Sequence, residues 1–174
     1  MALIFYEVES EKAFTSKIGE LVWMMNHVRS VTVEEVRYLT VEALDQREDG
    51  GNSIGALLLH TAAIEYVHQV ISFEHRDLNE KEAEQWGAAL TLGEDAAEAI
   101  HSRPASFYIK QLEDVRSGTL ERLKEKGDEW LFEQRTWPNG LVHNPYYLWF
   151  HVMEDEINHR GQIRALVRKS KSMN

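Results

Sequence analysis

In the run His151-Val-Met-Glu154-Asp155-Glu156-Ile-Asn-His159, an aspartate and a histidine stand four residues apart. On a helix that spacing stacks the two side chains on one face, one turn above the other. The same face carries Leu148, Val152, Ile163 and Leu166, so it reads as core. Far upstream, in Ser53-Ile-Gly-Ala-Leu-Leu-Leu-His60, His60 falls inside the arc of Ile54, Leu57, Ile64, Val67 and Ile71. An imidazole and an ionised carboxylate persist in an apolar interior only when something satisfies them, and a shared cation is the simplest common partner.

His60, Asp155 and His159 are therefore a candidate three-ligand metal set. Two imidazoles and one carboxylate leave coordination positions open, so such a cation would act as a Lewis acid on bound water or on a thiolate. The N,N,O set suits zinc, nickel, iron(II) or manganese. Glu156, nearer the other border of the arc, is the candidate catalytic acid or base, while Glu154 should point away. A second account fits the spacing as well: His60 bonds a backbone carbonyl, and Asp155 pairs with His159 along their own helix.

Other residues carry less information. His68 shares the stripe of His60 two turns on and suits a structural role or support of the ligands. His27, His75, His101 and His143 have no ligand partner at helical spacing and read as surface or loop residues. Trp137, Trp149, Tyr146 and Tyr147 either pack the core or wall a pocket beside the metal. No phosphate loop, dinucleotide fingerprint or nucleophile elbow is present.

The elements that must position these side chains are helices. Phe14, Ile18, Leu21, Val22, Met25, Val28, Thr32, Val36 and Leu39 step by three or four, which predicts a first long helix. Gly50-Gly51 lies in a loop over residues 45–52, and Ser53 is placed to cap a second helix running to about Phe73. Residues 79–103 read as a long irregular crossover with a short helix near 95–101. Pro104 then opens a third long helix that Gly127 stops. Residues 128–143 read as a turn-rich connector with aromatic plugs, and Asn144-Pro145 starts a fourth helix running to about Lys169. The expected architecture is all-α, a four-helix bundle with a long crossover between the second and third helices, as one domain over residues 1–174.

Composition agrees with that class. The chain is 43% hydrophobic and 28% charged, with no internal shift in composition. It has no cysteine, which excludes disulfides, thiolate catalysis and cysteine zinc sites. A net charge of −10 argues against nucleic acid, and the basic cluster at residues 164–171 reads as cations at the carboxyl end of a helix. No window reads as a membrane span, and Leu3-Ile4-Phe5-Tyr6 is too short for a signal-peptide core. A cytoplasmic location is expected.

His60 in its Ser53-initiated run, followed by Glu154-Asp-Glu-Ile-Asn-His159-Arg-Gly-Gln-Ile163, resembles the DinB/YfiT-like superfamily of bacterial proteins over nearly the whole chain. The resemblance implies a four-helix bundle, frequently a homodimer, with one divalent metal held by a histidine of the second helix and two of the fourth. His60 and His159 match the outer ligands, and Asp155 stands where the family usually has histidine. The implied metal is zinc or nickel first, with iron or manganese as alternatives. The superfamily includes thiol transferases that use low-molecular-weight thiols such as bacillithiol or mycothiol, and members labelled hydrolases. The reading is a metal-dependent enzyme acting on a small molecule through an activated thiol or water. The alternative is a non-catalytic binding or dimerisation module with a degenerate metal site.

Overall fold

The computed structural model describes residues 7–48 and 50–172, with side chains as far as Ser170; the Leu3 to Tyr6 opening and the Lys171 side chain fall outside them. Helices account for nearly all regular structure among the described residues. Four are long: α1 (Ser16–Val36), α3 (Ile54–Gln69), α6 (Ala105–Lys124) and α7 (Pro145–Ser172). Two shorter ones, α4 (Glu80–Thr91) and α5 (Gly93–Ala99), lie between α3 and α6, and α2 (Val41–Asp45) follows α1.

The predicted starts of α3 and α7 hold in atomic detail. Ser53 Oγ accepts from the Ala56 amide, and Asn144 Oδ1 accepts from the Tyr147 amide, so each cap satisfies a backbone donor of the first turn. Pro104 sits one residue earlier than expected, as the extended residue before α6 rather than its first helical residue. Beyond Gln69, α3 continues as one wider π-helical turn, Val70–Glu74.

Residues 79–103 are more ordered than the irregular crossover expected of them. Asn79 and Glu82 form a reciprocal capping box that starts α4, whose buried residues are only Trp86 and Ala89. So narrow an apolar face explains the weak periodicity. The short helix α5 runs over 93–99 instead of 95–101. The connector contains a 3₁₀ turn, Asp128–Phe132, and two-residue antiparallel strands, β1 (Arg135–Thr136) and β2 (Val142–His143), with Arg135 opposite His143. Trp130 does plug the core, but Phe132 is exposed.

Helix α3 packs against α4, α6 and α7, and α1 packs against α6 and α7. Twelve of the sixteen residues of α3 are buried, which makes it the central element. By length and composition Ile54–Glu74 could cross a membrane, contrary to the sequence expectation, with a mean hydropathy of 1.3. Yet 72% of that window is buried against the rest of the protein, and it carries Glu65, as fits a core helix. Gly55 packs tightly on α6, since a Cβ there would lie 2.5 Å from the Tyr108 hydroxyl oxygen.

Two arginines and two glutamates lie in this interior, one from each long helix. Arg29 of α1 reaches Glu65 of α3 at 2.8 Å and Glu156 of α7 at 3.0 Å. Arg116 of α6 grips both oxygens of Glu65, at 2.7 and 3.1 Å, and Thr119 donates to the same carboxylate. Burial alone would raise the Glu65 pKa, but Arg116 and Arg29 outweigh it and hold the carboxyl down at about 2. The stabilisation from ionised Glu65 is therefore full above its ordinary value of 4.5 and is lost as pH falls toward 2.

Two outcomes follow for Glu65→Gln, read by urea denaturation. At neutral pH the variant loses about 3–5 kcal/mol, because two buried guanidiniums lose a charged partner. Between pH 5 and pH 2 its stability falls less steeply than that of the wild-type protein; parallel slopes would show that Glu65 does not carry the acid sensitivity.

Candidate metal centre

His60 lies in the second turn of α3, and Asp155 and His159 lie one turn apart on α7. The packing of α3 on α7 brings them together: one donor atom from each falls within 4.8 Å of the others. His60 Nε2 is 3.6 Å from Asp155 Oδ2, and His159 Nε2 is 3.4 Å from Asp155 Oδ1. The imidazole rings meet edge-on, with centroids 4.7 Å apart. The His60 side chain is 9% exposed, Asp155 16% and His159 14%, so the cluster is shielded but not sealed.

The hydrogen bonds fix which lone pairs face inward. His60 Nδ1 lies 2.8 Å from the Ala89 carbonyl of α4. A carbonyl only accepts, so Nδ1 carries the proton and Nε2 of the neutral ring presents a lone pair to Asp155. His159 Nδ1 likewise lies 3.4 Å from Gln162 Oε1, leaving Nε2 toward Asp155. Asp155 Oδ2 is buried and has no hydrogen-bond partner. Acceptors thus converge on one point, and a positive charge there would relieve them.

Without a cation, a proton shared with His159 would supply it. Burial works to raise the Asp155 pKa, yet hydrogen bonding and attraction from His159 and His60 hold it well below the usual carboxylate range. Asp155 in turn raises the pKa of His159 against the opposing effect of burial. A divalent cation answers the same need, and the orphaned Oδ2 with two imidazole lone pairs fits one.

Both sequence accounts find their atoms here. His60 does bond a carbonyl and Asp155 does pair with His159, but the same bonds aim three ligand atoms at one another. Glu154 is exposed and pairs with His151, as its place on the helix implied. Glu156 is elsewhere: it is 1% exposed, and Arg29 donates to both of its oxygens. Those bonds tie its carboxylate to Arg29 and leave its expected proton-carrying role without a contact to the triad.

His68 donates through Nδ1 to the Ile64 carbonyl at 2.7 Å and lies 5.5 Å from the His151 ring; burial lowers its pKa. His143, expected at the surface or in a loop, is buried at the end of β2 and stacked 4.1 Å from Trp137. The other aromatics have partners of their own. Trp149 is fully buried beside Phe73, whereas Tyr146 and Tyr147 line an apolar groove of about 800 Å³ between α1 and α7. Sequence reading missed Arg29, Glu65 and Arg116, whose partners all lie on other helices. It also missed Ala89, whose contribution is a backbone atom.

No curated protein matches the chain. A family model described as the DinB family matches residues 10–170.

Zinc titration of the metal-free protein should give one site per chain, lost in His60→Ala and His159→Ala. Asp155→Asn separates the ligand from the scaffold. Its amide can donate into the cluster, so the metal-free variant stays within about 1 kcal/mol of the wild-type protein. Its zinc affinity falls by more than the roughly 10–100-fold that loss of an outer partner costs. Affinity should also drop about tenfold per pH unit, for one displaced proton, below the raised pKa of His159. Affinity independent of pH would remove His159 from the ligand set.

Proposed function

Because the chain belongs to the DinB family, its matched region covering residues 10–170, we propose that it is a divalent-metal-dependent enzyme acting on a small molecule. The supporting observation is the triad of His60, Asp155 and His159, with donor atoms within 4.8 Å and one buried carboxylate oxygen unpartnered. In this reading the four long helices form a four-helix bundle within a single domain over residues 1–174. The crossover between α3 and α6 covers one side of His60.

His60, Asp155 and His159 are the residues that would hold the cation. When bound, it supplies Lewis-acid activation of a thiol or a water molecule, the chemistry of an S-transferase or a hydrolase. Ala89 holds His60 in the tautomer that leaves Nε2 free, and Gln162 does the same for His159. With a carboxylate at the middle position the set has a harder ligand than a third imidazole, and it suits zinc, nickel, iron or manganese. Glu156 belongs to the scaffold in this proposal, since Arg29 occupies its carboxylate.

A low-molecular-weight thiol and an electrophile, or a hydrolysable small molecule, are the proposed partners, in the cytoplasm. A homodimer is part of the proposal too. The exposed Tyr147, Phe150 and Ile157 beside the apolar groove support it. The competing reading, a non-catalytic module, predicts a folded protein indifferent to metal.

Protein purified without an affinity tag should carry a divalent metal in stoichiometric amount, absent from His60→Ala and His159→Ala. The metal-loaded form should turn over at least one substrate in a screen of thiol adducts and esters. No metal in any of the three proteins would favour the module.

A further inference from the structure

The distance that matters most at the triad runs between helices. His60 is on α3 and Asp155 on α7, and their 3.6 Å separation is set by how far apart those helices lie and how each is rotated. Neither is fixed by the ligands' own local sequence.

One guanidinium spans this gap. Arg29 Nη2 lies 2.8 Å from Glu65 Oε2 on α3 and 3.1 Å from Glu156 Oε2 on α7, and Nε lies 3.0 Å from Glu156 Oε1. Its Nη1 donates to the Leu112 carbonyl of α6 at 2.9 Å, so the fork has no free swing. Burial works to lower the Arg29 pKa, but Glu156 and Glu65 more than offset it, so the charge stays.

The carboxylates it grips are carried by the two helices that bear the ligands. Glu65 lies five residues beyond His60, about 7.5 Å along α3. Glu156 follows Asp155 directly and precedes His159 by three residues. Asp155 and Glu156 turn together when α7 rotates about its axis, so a two-oxygen grip on Glu156 fixes where Asp155 points. A planar fork holds angle as well as distance, which a single ammonium does not.

We propose that Arg29, with Glu65 and Glu156, forms a positioning device for the metal centre, fixing the α3–α7 separation and the rotation of α7 so that His60, Asp155 and His159 converge. The proposal rests on the metal reading above. Its role here is registry: a buried ion network adds little stability over apolar side chains of similar volume, and in some proteins such groups fix one arrangement of the helices that share them.

The test is the double variant Arg29→Met/Glu156→Leu in the full chain. It removes one positive and one negative charge together, and leaves Glu65 paired with Arg116. Three readouts are taken: urea midpoint, zinc affinity, and the nuclear Overhauser effect between the His60 and His159 rings in metal-free protein. The midpoint should hold, zinc affinity should fall about 10–100-fold, and the ring contact should disappear. Unchanged zinc affinity with the ring contact retained overturns the proposal. If the wild-type protein binds no zinc, the metal reading fails and the ring contact alone decides: loss in the variant supports positioning, and retention refutes it. Should the double variant not fold, Arg29→Lys serves. It keeps the charge without the fork, so weaker zinc binding or a lost ring contact supports the device; wild-type values for both overturn it.

Discussion

A helix enclosed on nearly every side cannot leave a polar side chain without a partner, and α3 is such a helix. Its buried residues include His60, Thr61, Glu65, His68 and Gln69. Each has an assigned answer. Thr61 donates to the Leu57 carbonyl and His68 to that of Ile64, Gln69 reaches Val115 and Thr119, and Glu65 takes two arginines. The corner of His60 differs from these: there an imidazole of α3 meets a buried carboxylate oxygen of α7 that has no hydrogen-bond partner.

The interior has two polar systems with opposite characters. The network of Arg29, Glu65, Arg116 and Glu156 is balanced in charge, with every long helix contributing one member. The triad has no such pairing, with one carboxylate and two imidazoles drawn together from two helices. They meet at Asp155 and Glu156, adjacent residues that face different interiors because successive helix positions are turned about 100° from each other. Neighbouring acids of similar chemistry thus acquire separate roles: Asp155 at a point of deficit, Glu156 in a saturated grip.

The triad was legible because its members break an apolar pattern that each helix displays by itself. His60 interrupts the stripe of one helix, and Asp155 and His159 that of another, so periodicity alone exposes them. The ion network left no such trace. Arg29, Glu65 and Arg116 resemble the solvated charges of any helix until facing elements reveal their partners, which is tertiary information. Helix α4 was hidden for another reason: its buried face is only Trp86 and Ala89, too narrow for an apolar period, although Asn79 and Glu82 carried a usable start signal. The small hairpin, with two residues per strand, is too short for alternation to register.

The bond from His60 to Ala89 has an evolutionary consequence. The group that selects the imidazole tautomer is a peptide oxygen, which every amino acid at position 89 would supply. Drift along α4 can therefore remodel the surface near the triad while the His60 ring beneath keeps its orientation. Diversification would be limited by the path of the main chain and by the small space around Ala89, which is 1% exposed.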